Sequence, residues 1–182
     1  MRRSKSALLI MDMLNALDFP EGAQLLPEAI KCAKNIAKLK ERCYQKKIPV
    51  IYVNDNFGNW QSDWKMIYDL CNAESSRGRA LAEILEPNHR DLFVLKPKHS
   101  GFYSTTLQVL LEKFGAQNLI ITGIAGNICV LFTAHEAHMR EYQVIVPRDC
   151  IASNTKADNN YALNQFKSVF GFQTTSGARL KL

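Results

Sequence analysis

The feature that most constrains this chain is an alternation of two patterns. Short, almost continuously apolar runs at residues 7–11, 50–53, 92–95, 119–122, 144–146 and 169–172 are separated by segments of helical periodicity. A run that is apolar at every position, rather than at every second one, suits a strand buried on both faces. Such strands belong to a parallel sheet whose crossovers are helices. The pattern predicts an α/β fold: a three-layer α/β/α, Rossmann-like domain with a mostly parallel sheet of about six strands. The helices have readable ends. Pro27 suits a first helical position, with Ile30, Ala33, Ile36, Ala37 and Cys43 following at helical period. Thr105 and Gln108 form a capping box, Gly115 stands at a C-terminal stop, and Thr155 caps a helix carrying Tyr161, Ala162 and Phe166. Residues 79–85 make a shorter helix.

With 182 residues, 47% hydrophobic and 22% charged, residues 1–182 are expected to form a single domain with its own core. The net charge of +6 raises a nucleic-acid partner as an alternative. The excess lies in Arg2, Arg3 and Lys5 and in residues 31–47, where helical spacing makes a solvated face, and no nucleic-acid motif accompanies it. No nucleic-acid partner is therefore expected. The apolar residues 8–11 behind Arg2 and Arg3 are too few for a leader and are broken by Asp12. No stretch approaches the roughly 18 apolar residues of a membrane span, so no membrane association is expected. Cysteines at 32, 43, 71, 129 and 150 are odd in number and lack C-x-x-C spacing, which argues against a disulfide framework or zinc site and for a reducing cytoplasm.

In open parallel sheets, ligands bind beyond the carboxyl ends of the strands. That rule selects Asp12 after the first run, Asn54 and Asp55 after the second, Lys96 after the third, residues 123–129 after the fourth and Asp149 after the fifth. Cys129 starts the helical segment 130–140, where the macrodipole favours thiolate over thiol and backbone N–H groups can hold an oxyanion. A buried structural cysteine at a helix start is the competing reading. Asp12 interrupts an apolar strand and needs a partner there, unless it is a turn or cap residue. Lys96 alone could be a solvated strand end. The combination of acid, ammonium and thiol at one sheet edge supplies a nucleophile, a base and a charge that tunes both. His135 and His138 follow Cys129 by six and nine residues. At about 100° per residue they point away from it and are packing or surface residues. His99 could touch a substrate or stand in a solvated loop.

These residues, in this order, resemble the isochorismatase-like cysteine hydrolases, a family that includes nicotinamidases and N-carbamoylsarcosine amidase. The likeness runs from Leu8 to about Thr174 and rests on three blocks: Leu8-Leu9-Ile10-Met11-Asp12-Met13, Lys96-Pro97-Lys98-His99-Ser100-Gly101-Phe102, and Thr122-Gly123-Ile124-Ala125 through Cys129-Val130 with Thr133, Ala134 and Ala137. The resemblance implies that Cys129 is the nucleophile, Asp12 the general base and Lys96 the stabiliser of the ionised site. It also implies a cis peptide between Ile124 and Ala125, directing the N–H groups of Ala125 and Cys129 at an oxyanion. The nicotinamidase branch binds a metal through Asp-x-His, but here the stretch reads Asp55-Asn56-Phe57. No metal and no cofactor are expected. Enol-ether-cleaving members generally lack the cysteine, so Cys129 favours a small amide or carbamoyl substrate. Enol-ether hydrolysis and a silent, ligand-binding member remain the alternatives. Asn54, Phe57, Trp60, Trp64 and Phe102 are the expected substrate wall. Trp60, Trp64 and Tyr68 equally suit a subunit interface, and a homo-oligomer, dimer or tetramer, is expected.

Overall fold

The structure, a computed structural model, describes residues 3–60 and 63–182. Five strands form one sheet, β1 (Ser6–Met11), β2 (Val50–Asp55), β3 (Leu92–Lys96), β4 (Asn118–Gly123) and β5 (Gln143–Ile145), in the order β3-β2-β1-β4-β5. Every pairing is parallel. The crossovers carry helices α1 (Gly22–Gln45), α2 (Trp64–Asn72), α3 (Arg79–Ile84), α4 (Leu107–Phe114), α5 (Leu131–Met139) and α6 (Lys156–Asn164).

Alternate residues of each strand feed two cores. Leu8 and Ile10 of β1 and Val50 and Tyr52 of β2 face α1 and α3, whose Ala33, Ile36, Leu39, Leu81 and Ala82 complete that side. Ala7, Leu9 and Met11, with Ile51 and Val53, face the other layer, built from Leu107, Leu111, Val130, Ala134, Ala137 and Phe166. Each Leu, Ile or Val among them contributes about 1.5–3 kcal/mol on burial, each Ala less. The continuous apolarity of the strands is thus the signature of a sheet covered on both sides.

Three expectations are corrected. Residues 169–172 do not form a sixth strand: only an isolated bridge joins Gln173 to Ile145. Phe170 and Phe172 instead stack on each other and against His138, and Phe170 also meets the His135 ring, so their apolarity serves packing rather than pairing. Pro27 lies inside α1, which already begins at Gly22, where Gly22 N donates to Phe19 O and Leu25 N to Glu21 O. Thr105 caps Leu107 N, but Gln108 reaches forward to Glu112 rather than back, so the capping box is incomplete. Gly115 does end α4 in the left-handed region at φ 72°, and Thr155 caps α6 through Asp158 N.

Candidate active site

The site assembles where β1, β3 and β4 end. Directly after β1, Asp12 takes a left-handed φ of 49°, a conformation aspartate tolerates better than most residues. Its Oδ1 accepts the N–H of Asp55 at 2.7 Å, and its Oδ2 lies 3.0 Å from Lys96 Nζ. Lys96 closes β3 and reaches past the end of β2; its side chain is wholly buried. The ammonium also lies 3.3 Å from Asp55 Oδ2 and donates to Cys129 Sγ at 3.6 Å. One cation therefore serves two carboxylates and a thiol.

The thiol is delivered by an unusual turn. Gly123 ends β4 at φ 112°, and a Cβ there would stand 2.1 Å from Met11 O, so only glycine lets the chain pass so close to β1. The Ile124–Ala125 peptide is cis. A π-helical turn, Gly126–Val130, carries Cys129 and runs into α5, so the cysteine sits in that turn rather than at the start of the α-helix. Within the turn, Gly126 N donates to Ala152 O, Asn127 N to Ser153 Oγ, and Ile128 N and Val130 N both to Ala125 O. The N–H group of Ala125, just before the turn, donates to no acceptor among the described residues. The Lys96 block is fixed against α5 by Gly101 N donating to Thr133 Oγ1 and Ser100 Oγ to Glu136.

Burial raises the Asp12 carboxyl above its ordinary range, against the opposing pull of Lys96. Burial alone would depress Lys96, but Asp12, Cys129 and Asp55 together hold its ammonium above its usual value. For Cys129 the sequence-based expectation of a favoured thiolate is overturned. Burial and the adjoining Asp12 carboxylate push the thiol up, and Lys96 offsets only part of this. Asp12 and Asp55 already share the one ammonium, so a thiolate would add a further uncompensated negative charge, and the thiol keeps its proton, hydrogen-bonded to Asp12.

A cleft of about 340 Å³ opens over Cys129. Phe19, Leu25, Phe57, Ile124 and Ile128 form its apolar wall; Asn15, His99 and Asn154 add neutral polar groups or an imidazole beside Asp12 and Asp55. Of the five residues expected to form the substrate wall, Phe57 does line it. Asn54 instead clasps the chain after β1, accepting from Leu14 N and donating to Leu14 O. Trp64 stacks on Phe93 at 4.4 Å, and Phe102 is buried in the core under Arg140 and Tyr142. Trp60 stands 80% exposed, away from the cleft lining. Sequence reasoning passed over Asn15, Phe19, Leu25, Ile128 and Asn154. Phe19 and Leu25 precede or begin α1 and carried no polar signal.

The Asp-x-His metal position does not fit a metal here. Asp55 Oδ1 accepts Phe57 N at 2.7 Å and Oδ2 faces Lys96. Among the described residues, no three His, Cys, Asp or Glu side chains come together as a ligand set.

Fold and site together define a small parallel-sheet α/β hydrolase. The family model described as Isochorismatase domain matches residues 6–178, and the chain belongs to the isochorismatase family. It is 44% identical over 176 residues to the uncharacterized isochorismatase family protein YaaI of Bacillus subtilis (strain 168), covering 97% of this chain and 96% of that one. The isochorismatase of the same strain is 32% identical over 165 residues, 88% of this chain but 52% of that protein. The crystal structure of N-carbamoylsarcosine amidase from Thermoplasma acidophilum superposes with a TM-score of 0.74 at 27% identity, covering 98% of this chain and all (100%) of that one. No helix among the described residues is long and apolar enough to cross a membrane.

Proposed function

We propose that the protein is a cysteine hydrolase that cleaves a small amide, carbamoyl or related C–N bond through a thioester, without a metal. The observation that carries this reading is the single ammonium of Lys96 shared by Asp12 and Cys129 beneath an open cleft. In the resting site the proton sits on sulfur. As substrate binds, Asp12 takes that proton while Sγ attacks the carbonyl carbon, and the N–H groups of Ala125 and Cys129 receive the oxyanion. The C–N bond breaks with return of the proton from Asp12 to the leaving amine. Water then attacks the thioester, giving one proton to Asp12; the C–S bond breaks, and that proton returns to the departing sulfur. Lys96 stays charged throughout and offsets each anion as it forms.

The test is a screen of small carboxamides, ureas and carbamoyl compounds for ammonia release, repeated with Cys129→Ala. Loss of turnover in the variant supports the reading. Full activity would move the chemistry to the enol-ether type, the alternative that the family resemblance leaves open. We also propose a homo-oligomer, because the apolar side chains of Trp60, Met66 and Leu70 stand 80%, 51% and 60% exposed. Light scattering that finds only a 20.6 kDa species at micromolar concentration overturns this.

A further inference from the structure

The described residues that line the cleft include no lysine or arginine side chain. Lys96, the cation at its floor, is wholly buried and already faces the carboxylates of Asp12 and Asp55 at 3.0 and 3.3 Å. With the thiol neutral, the two carboxylates and one ammonium leave the floor of the cleft with one surplus negative charge. The walls above it are apolar on the Phe19, Leu25, Phe57 and Ile128 sides, and the remaining polar side chains of the lining are the amides of Asn15 and Asn154 and the imidazole of His99. The Asn154 Oδ1 is buried and has no hydrogen-bond partner among the described residues, so an amide of the wall has an acceptor left over for an N–H donor. An apolar wall lowers the local dielectric, which strengthens repulsion between the floor and any anion brought against it.

We propose that the cleft selects by charge: its substrates are uncharged carboxamides with an apolar body, and carboxylate-bearing amides are excluded. This rests on the cysteine-hydrolase reading and deepens it. Asp55 is the positioning group of this selection, since it adds the second negative charge without being needed to take the thiol proton. Phe57, at the rim and 46% exposed, is the place where a single added cation would reverse it.

The charge probes are two near-isosteric alkylating agents, neutral iodoacetamide and anionic iodoacetate. Each forms an S–C bond at Cys129 with departure of iodide, the thiol proton passing to Asp12. Rates at Cys129 are read by mass spectrometry at pH 8 and divided by the rates for glutathione under the same conditions. The expected result is an iodoacetate-to-iodoacetamide ratio at least ten-fold lower than that of glutathione. Asp55→Asn should move the ratio toward the glutathione value, and Phe57→Arg should move it further. A merely structural role for either residue would slow both reagents alike and leave the ratio unmoved. A wild-type ratio equal to that of glutathione overturns the charge selection while leaving the cysteine nucleophile standing. Failure of both reagents to label Cys129 while the unfolded chain labels normally sinks the nucleophile reading, and this inference with it.

Discussion

Among the described residues are two buried lysine–aspartate pairs at opposite ends of the sheet, and they differ in what surrounds them. Lys40 and Asp91 meet at 2.8 Å near the start of β3, as tightly as Lys96 and Asp12 at 3.0 Å. Around Lys40 every polar group is matched: its ammonium also donates to Tyr52 Oη and Glu86 O, while Asp91 accepts from Tyr44 Oη and Asn88 N. Burial depresses Lys40, and one carboxylate does not fully restore it. Around Lys96 the anions outnumber the cation, and its ammonium is held above its usual value instead. An ion pair that satisfies itself is a fastening. One left with surplus negative charge, a thiol and an open cleft has capacity to move a proton. A second cleft of about 340 Å³ beside the Lys40 pair is lined by Tyr44, Ile48, Pro49, Val50 and Phe114, with Lys47 and Arg90 at hand, and no thiol or free carboxylate lines it.

The sharpest way to break this contrast is to mutate each pair. Cys129→Ala, Asp12→Asn and Lys96→Ala should each lower turnover about 10³-fold or more, with double variants little worse than singles because the three act as one unit. Asp91→Ala should instead leave kcat/KM nearly unchanged and cost about 3–5 kcal/mol of stability, since it strands a buried ammonium. Urea denaturation and initial rates on the same preparations decide the matter. An inactive Asp91→Ala that keeps full stability would erase the distinction.

The thiol offers a smaller effect. Its folded pKa is raised, so the stability it contributes is fully present below the ordinary thiol value of about 8.5 and is lost as pH climbs toward the folded value. The wild type should therefore lose more stability between pH 7.5 and pH 10 than Cys129→Ala. Alkylation of Cys129 by iodoacetamide should keep rising beyond pH 9, where a free thiol levels off. It should also precede alkylation of Cys32, Cys43, Cys71 and Cys150, all buried. A plateau near pH 7 would restore the resting thiolate that helix position alone had implied.

The smallest expected effect is that of metal removal. Exhaustive chelation should change turnover less than two-fold, a value consistent with the engaged carboxylate of Asp55. Activity that falls and is restored by zinc, iron or manganese would show that Asp55 recruits a metal in solution.

Much of the framework was legible because apolar continuity reports burial directly. Asp12 and Lys96 stood out because a charge inside or ending such a run needs a partner. What escaped was everything set by close tertiary approach. The π-helical turn around Cys129 follows from contacts with residues 150–153, far along the chain, and nothing local announces it. The direction of the thiol's ionisation depended on how completely that turn is covered. Aromatic residues were read as pocket wall, yet Phe102 and Trp64 found partners in Tyr142 and Phe93. From sequence alone, an aromatic that lines a cavity and one that fills a core look the same.

The strand that ends in Asp12 lies at the centre of the sheet, paired on one side with β2 and on the other with β4. Amides there can exchange with solvent only when much of the domain opens, whereas the segment around Phe57 hangs from a few turn contacts. The base is thus carried by the part of the molecule that yields last, and part of the substrate wall by a part that yields early. Mild denaturant should therefore weaken substrate affinity well before it slows the bond-breaking step, and the two should be lost as separate events along one titration.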